Sequence, residues 1–342
     1  MNAVQLFQPR QLKLLSLPEP PSPGPGEALV QVRRVGVCGT DLHAFRGQQP
    51  FFSYPRILGH ELGVEVLSVG EGGAGVSPGD LCAVEPYLNC GRCIACRHDK
   101  PNCCVQLQVL GVHTDGGLRE RFVVPLAKLH SSRTLTLDQL ALVETLGIGA
   151  HAVERAVLTK GETVAVLGAG PIGLAVIQFA REAGARVLVV DVNARRLAFC
   201  HERLGLPRED IIDSSASPDV ARALSERTGG DLPTAVFDAT GNAASMAGAF
   251  QLPAHGGRLI FVGLFSGDVS FHDPNFHRRE LTLLASRNSR PEDFRRIIAK
   301  IESGRIDTTP WITHRAVLAE VPEKFPGWTE PAAGVLKAMI SV

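Results

Sequence analysis

Between residues 163 and 262, short apolar runs alternate with helical stretches, and this rhythm restricts the fold more than any other feature of the chain. Thr163-Val164-Ala165-Val166-Leu167 precedes glycines and a helical stretch over 172–183, and residues 186–190 precede another over 194–204. Further apolar runs follow at 235–237 and 258–262. Continuous apolar strands separated by helices predict a parallel sheet covered on both faces. Upstream the pattern differs. Runs over 28–35, 63–70 and 80–84 sit between Gly/Pro turns, behind a proline-rich stretch, 17–26, that cannot be helix interior. They predict a compact, barrel-like antiparallel unit. Residues 140–158 read as a helical connection and 291–303 as an amphipathic helix.

The 342 residues suffice for two or three domains. With 35 Lys+Arg against 35 Asp+Glu, no electrostatic footprint for nucleic acid or an anionic membrane surface is expected. The first ten residues lack a basic, then apolar, export pattern. The most apolar window, 164–180, is shorter than the ~20 residues of a membrane span. A cytoplasmic location is expected.

Gly168-Ala169-Gly170-Pro171-Ile172-Gly173 matches G-x-G-x-x-G, a weak pattern alone in a chain with 35 glycines. Its position raises its weight, since a strand ends at Leu167 and a helix starts near Pro171. Gly168 permits the turn, Gly170 lets backbone approach a pyrophosphate, and Gly173 allows helix and strand to meet. Asp191 follows Gly168 by 23 residues, at the distance expected of the acid that binds the adenosine ribose, which favours NAD over NADP. Arg195 and Arg196 follow closely and oppose that preference. The bland reading is a plain turn with a solvent-facing Asp. Segments ending at Thr240 and at Val262-Gly263 lie at strand ends, where ligands of open α/β sheets bind, or are simple turns.

Five of the eight cysteines fall within fifteen residues. Cys90-x-x-Cys93-x-x-Cys96, with Cys104 eight residues on, can close a tetrahedron of thiolates around a structural Zn²⁺. Disulfides, a redox pair or an iron–sulfur cluster are the competing readings. A second group is assembled from separated residues: Cys38, Thr40, Asp41 and His43, then His60 and Glu61. A thiol, an imidazole and a carboxylate suit a zinc site with one open position. Taken singly, each is more often a core or surface residue.

Gly-Val-Cys-Gly-Thr-Asp-x-His, Gly-His-Glu, the four-cysteine lobe and Gly-x-Gly-x-x-Gly, in this order, resemble the zinc-dependent medium-chain alcohol and polyol dehydrogenases. The likeness spans about residues 28–288. The resemblance implies a GroES-like β-barrel catalytic domain (1–149 and 285–342, with the zinc lobe near 88–106) and a doubly wound, Rossmann-type NAD-binding domain (150–284). It also implies catalytic zinc on Cys38 and His60. The family's usual downstream cysteine is absent, and Glu144, in Leu142-Val143-Glu144-Thr145-Leu146, matches the glutamate of the polyol and threonine branch. Glu61 and Glu144 both remain for the other coordination, with Asp41 behind His60. Three segments, 48–55, 111–117 and 286–288, resemble bacterial hexonate dehydrogenases of the L-galactonate 5-dehydrogenase type.

By that likeness two zinc ions and NAD serve a hydride transfer from a secondary alcohol of a polyol or sugar acid. Thr40 takes the hydroxyl proton and passes it through the ribose toward His43; Phe51, Phe52 and Tyr54 form either a substrate wall or barrel core. The alternatives are amino-alcohol oxidation of the threonine 3-dehydrogenase type and a non-catalytic NAD-binding zinc protein. A homo-oligomer, dimer or tetramer, is expected, with a small-molecule alcohol as the only other partner.

Overall fold

The computed structural model describes residues 1–50, 52–72 and 75–342. These form two compact units, Met1–Thr145 with Ser289–Val342, and Leu146–Asn288. The division falls within the helix Leu137–Ala156.

In the second unit the apolar runs build a six-stranded parallel sheet. Its order is Ile211–Asp213, Arg186–Asp191, Thr163–Leu167, Ala235–Asp238, Arg258–Phe261 and Thr282–Ala285. The chain therefore starts in the middle, winds outward to one edge and returns to wind toward the other. That doubly wound order creates a switch point beside Thr163–Leu167, outside the carboxyl ends of the strands. Leu167 stands level with Val190 on one side and Asp238 on the other. The middles of the central strands are apolar because both faces are covered there. Ala165, Leu188 and Val236 pack with Ala223 and Leu224 of the helix Val220–Arg227. The helix Pro171–Glu182 buries seven of its residues, Leu174 and Ile177 among them.

The first unit is a seven-stranded, largely antiparallel sheet. Glu27–Gly36 lies at its centre, paired with Glu61–Val69, Arg121–Pro125 and Lys337–Ser341. The last forty residues, unassigned by pattern, complete this sheet: Ile312–Val317 adds beside Lys337–Ser341 in parallel. A hairpin, Asn2–Gln8 with Gln11–Ser16, pairs with Arg56–Ile57. Val30, Val32, Leu62, Val64, Phe122 and Phe325 fill one core.

Candidate metal and nucleotide sites

Strand pairing assembles the first site. Glu27–Gly36 leads through Val37 to Cys38, the N-cap of the helix Gly39–Phe45. Its neighbour Glu61–Val69 starts directly after His60, with Gly36 opposite Glu61. Cys38, His60 and Glu61 thereby each bring a ligand atom within 4.8 Å of the others. Gly36 makes room for this, since a Cβ there would stand 2.1 Å from Glu61 Oε2. Asp41 Oδ2 accepts the Cys38 N–H at 3.0 Å. Its other oxygen faces His60 Nδ1 at 3.7 Å, and both of those buried atoms lack a hydrogen-bond partner among the described residues.

Two carboxylates are held by protein donors. Lys337 Nζ donates to Glu61 Oε1 and Oε2 at 2.6 and 2.7 Å, and to Thr145 Oγ1 at 3.3 Å. Glu144, carried by the helix Leu137–Ala156, accepts the Tyr87 hydroxyl. Burial opposes the charged imidazole of His60, yet the Asp41 carboxylate and the Cys38 thiol outweigh it and raise its pKa well above the usual value. Burial pushes Asp41 and Glu144 upward, and burial with the Glu144 charge does the same to Tyr87. Lys337 is raised against its burial by Glu61 and Cys38. Lys337 pairs with the Glu61 carboxylate, and the thiol, imidazole and carboxylate that meet within 4.8 Å, Glu144 not among them, are zinc's donors and fit a divalent cation.

Thr40 and His43, three apart, share a face of the helix Gly39–Phe45. Partial desolvation and then the Arg46 guanidinium hold His43 below its ordinary pKa. Phe52 and Tyr54 stack edge to face at 4.8 Å, half-buried against the barrel core. Phe51 lies outside the described residues.

Cys90, Cys93, Cys96 and Cys104 bring their sulfurs within 4.8 Å of one another without a disulfide. Backbone N–H groups of Cys96 and Val105 hold Cys93 at about 6, while burial pushes Cys104 up to about 11. The Cys104 sulfur accepts the N–H groups of Cys90 and Gln106 at 3.3 and 3.4 Å. Cys103 next to it is exposed.

The glycine turn sits at the switch point of the second unit. Gly168 has φ +90°, and a Cβ on Gly173 would meet the Gly168 carbonyl oxygen at 1.8 Å. Gly170 caps the helix that Pro171 begins, with Ile172 in its first turn. Asp191 accepts N–H groups from Ala169 at 2.6 Å and Asn193 at 2.7 Å, and Arg196 Nη1 stands 3.9 Å away. Thr240 donates through N and Oγ1 to the buried Asp238, at 2.9 and 2.6 Å. The Val262 and Gly263 N–H groups reach the Asp238 carbonyl.

Lys337, Tyr87 and Asp238 were not singled out from sequence. Lys337 carried a usable signal, a lone charge in the apolar run Leu336 to Ile340.

Two family models match the chain: the alcohol dehydrogenase GroES-like domain over residues 24–134 and zinc-binding dehydrogenase over 171–303. With the relatives below, they show that the chain belongs to the zinc-dependent medium-chain alcohol and polyol dehydrogenases. It is an oxidoreductase that uses zinc and a nicotinamide cofactor. L-Galactonate-5-dehydrogenase of Escherichia coli (strain K12) is 43% identical over 327 residues, 95% of each chain. 2-Dehydro-3-deoxy-L-galactonate 5-dehydrogenase of Pseudoalteromonas atlantica is 33% identical over 306 residues, 89% of this chain and 88% of that one. The alcohol dehydrogenase rspB of E. coli CFT073, solved with NADH, has a TM-score of 0.91 at 29% identity and covers 100% and 99%.

Proposed function

We propose that the first unit holds a catalytic Zn²⁺ through Cys38 and His60, with Glu61 and Glu144 supplying the remaining coordination, and that the enzyme oxidises a secondary alcohol of a sugar acid or polyol with NAD. A second Zn²⁺ is structural, on Cys90, Cys93, Cys96 and Cys104. The observation that carries this reading is the meeting of half-buried Cys38 with buried His60 and Glu61, in a chain 43% identical to an L-galactonate-5-dehydrogenase. When bound, the metal supplies Lewis acidity, which brings a hydroxyl's pKa down toward about 7, and NAD accepts the hydride.

The chain's own groups do the rest. Asp41 orients the His60 ring. Thr40 accepts the substrate proton, and His43, three residues along the same helix face, carries it toward solvent. Gly168, Gly170, Pro171, Ile172 and Gly173 offer a helix N-terminus to the pyrophosphate. The Asp191 carboxylate receives the adenosine ribose and repels a 2′-phosphate, while Arg196, Thr240, Val262 and Gly263 line the remainder. Support for the NAD preference comes from the two N–H groups that fix Asp191.

A panel of aldonates, polyols and L-threonine, assayed for NADH formation with and without chelator, tests the assignment. Turnover of an aldonate or polyol, lost in Cys38→Ser while one zinc is retained, is expected. Turnover of threonine alone would make this an amino-alcohol oxidiser, and two bound zincs without turnover a non-catalytic NAD-binding protein. We further assign the protein to the cytoplasm as a homo-oligomer; the sheet-edge strand Thr282–Ala285 exposes Leu283, and unpaired apolar edges favour association. Sedimentation measures the subunit number. No helix among the described residues is long and apolar enough to cross a membrane.

A further inference from the structure

The four-cysteine loop is the tip of a small hairpin, and the base of that hairpin carries Tyr87. Strand Tyr87–Leu88 pairs antiparallel with Gln108–Val109, Tyr87 opposite Val109 and Leu88 opposite Gln108. Cys90 follows the first strand by two residues and Cys104 precedes the second by four. A ladder of two residues per strand does not hold itself in water. Closure of the loop at its tip therefore keeps the two strands in register, and with them the phenol that donates to Glu144.

The same segment is pinned from behind. Lys128 Nζ donates to Glu85 Oε1 at 2.5 Å and to Asn89 Oδ1 at 3.0 Å. Glu85 also meets His130 Nε2 at 3.2 Å, and the His130 ring stacks on Phe294 at 4.9 Å. The Glu85 N–H donates to the Lys128 carbonyl at 2.8 Å. Asn89 turns its amide toward the loop, Nδ2 to Cys96 Sγ at 3.7 Å. Glu85, Lys128 and His130 are all buried. A buried ammonium thus reaches a loop sulfur through one amide, and the same segment, 85–89, carries the phenol that donates to Glu144. Among the described residues, neither Lys128 nor Asn89 hydrogen-bonds Cys38, His60 or Glu61.

We propose that the four-cysteine loop positions Glu144 through Tyr87, with Asn89 and Lys128 as the positioning residues that tie the loop to that phenol. The inference rests on the two metal sites proposed above. It gives the loop metal a task beyond stability: it fixes the direction in which a carboxylate points at the catalytic cluster.

The test uses full-length protein with zinc in the loop and Co²⁺ exchanged into the Cys38 group. It reads the visible Co²⁺ bands, Co²⁺ affinity against a chelator, and the rate of zinc loss from the loop. Tyr87→Phe should shift the bands and weaken Co²⁺ roughly 10–100-fold, leaving zinc loss unchanged. Asn89→Ala, which spares the Lys128–Glu85 pair, should speed zinc loss roughly tenfold and shift the Co²⁺ bands in the direction Tyr87→Phe does. Should Asn89→Ala fold poorly, Lys128→Arg, which keeps the charge paired with Glu85, takes its place with the same expectation. Faster zinc loss with bands and Co²⁺ affinity unmoved overturns the coupling, as does no change in either. If the unaltered protein takes up no Co²⁺ outside the loop, the catalytic metal site itself is wrong, a failure visible before any variant is made.

Discussion

Gly36 is the residue on which the metal group turns, because the carboxylate of Glu61 occupies the volume a side chain would take. Glu61 cannot simply swing aside, since Lys337 binds both of its oxygens and a buried ammonium left unpaired is costly. Gly36→Ala should therefore cost about 1–3 kcal/mol of stability from overpacking. It should also weaken catalytic zinc roughly 10–100-fold while leaving the loop zinc in place, as chelator competition measures. His43 makes a second residue-level prediction. Burial and Arg46 both favour its neutral form, the form that can take a proton in the relay proposed above. As pH falls through its lowered pKa the ring becomes charged and can accept no more. The acid limb of kcat/KM for alcohol oxidation should then lie below the 6.5 of an unperturbed imidazole. His43→Asn should remove that limb and slow turnover roughly 10²-fold.

Among the elements, those whose signal is local were legible in the chain. The apolar runs at 163–167, 186–190, 235–237 and 258–262 became adjacent parallel strands because each is short, apolar and bounded by turns. The cysteine loop was legible for the same reason, with all its ligands within fifteen residues. Elements defined by pairing were not. Lys337–Ser341 takes its place against Glu27–Gly36, about three hundred residues away, and Tyr87 gains its role from Glu144. Neither pairing leaves a trace in local periodicity. The helix Pro171–Glu182 shows the local case at full strength, since a side chain on Gly173 would run into the Gly168 carbonyl that opens the preceding turn. Gly173→Ala must push helix from strand, costing about 1–3 kcal/mol. NADH titration by fluorescence should show weakened binding, with zinc content unchanged because the two proposed zinc groups belong to the other unit.

For the molecule as a whole, cofactor choice can be read as stability. A ligand that binds only the folded chain raises the unfolding free energy by RT ln(1 + [L]/Kd), about 2.7 kcal/mol at a hundredfold excess over Kd. Asp191 is held at the end of its strand by the N–H groups of Ala169 and Asn193, so its carboxylate cannot rotate away from a 2′-phosphate. Arg196 stands 3.9 Å from that carboxylate and 3.6 Å from where a Gly170 side chain would begin. It is close enough to meet a phosphate but already faces the carboxylate. Repulsion from the fixed carboxylate should dominate, and NADH should raise the unfolding midpoint more than NADPH at equal concentration. Asp191→Ala removes the repulsion and frees Arg196. The NADPH shift should then equal or exceed the NADH shift, and an NADPH shift already the larger in the unaltered protein would reverse the assignment of Asp191 and Arg196.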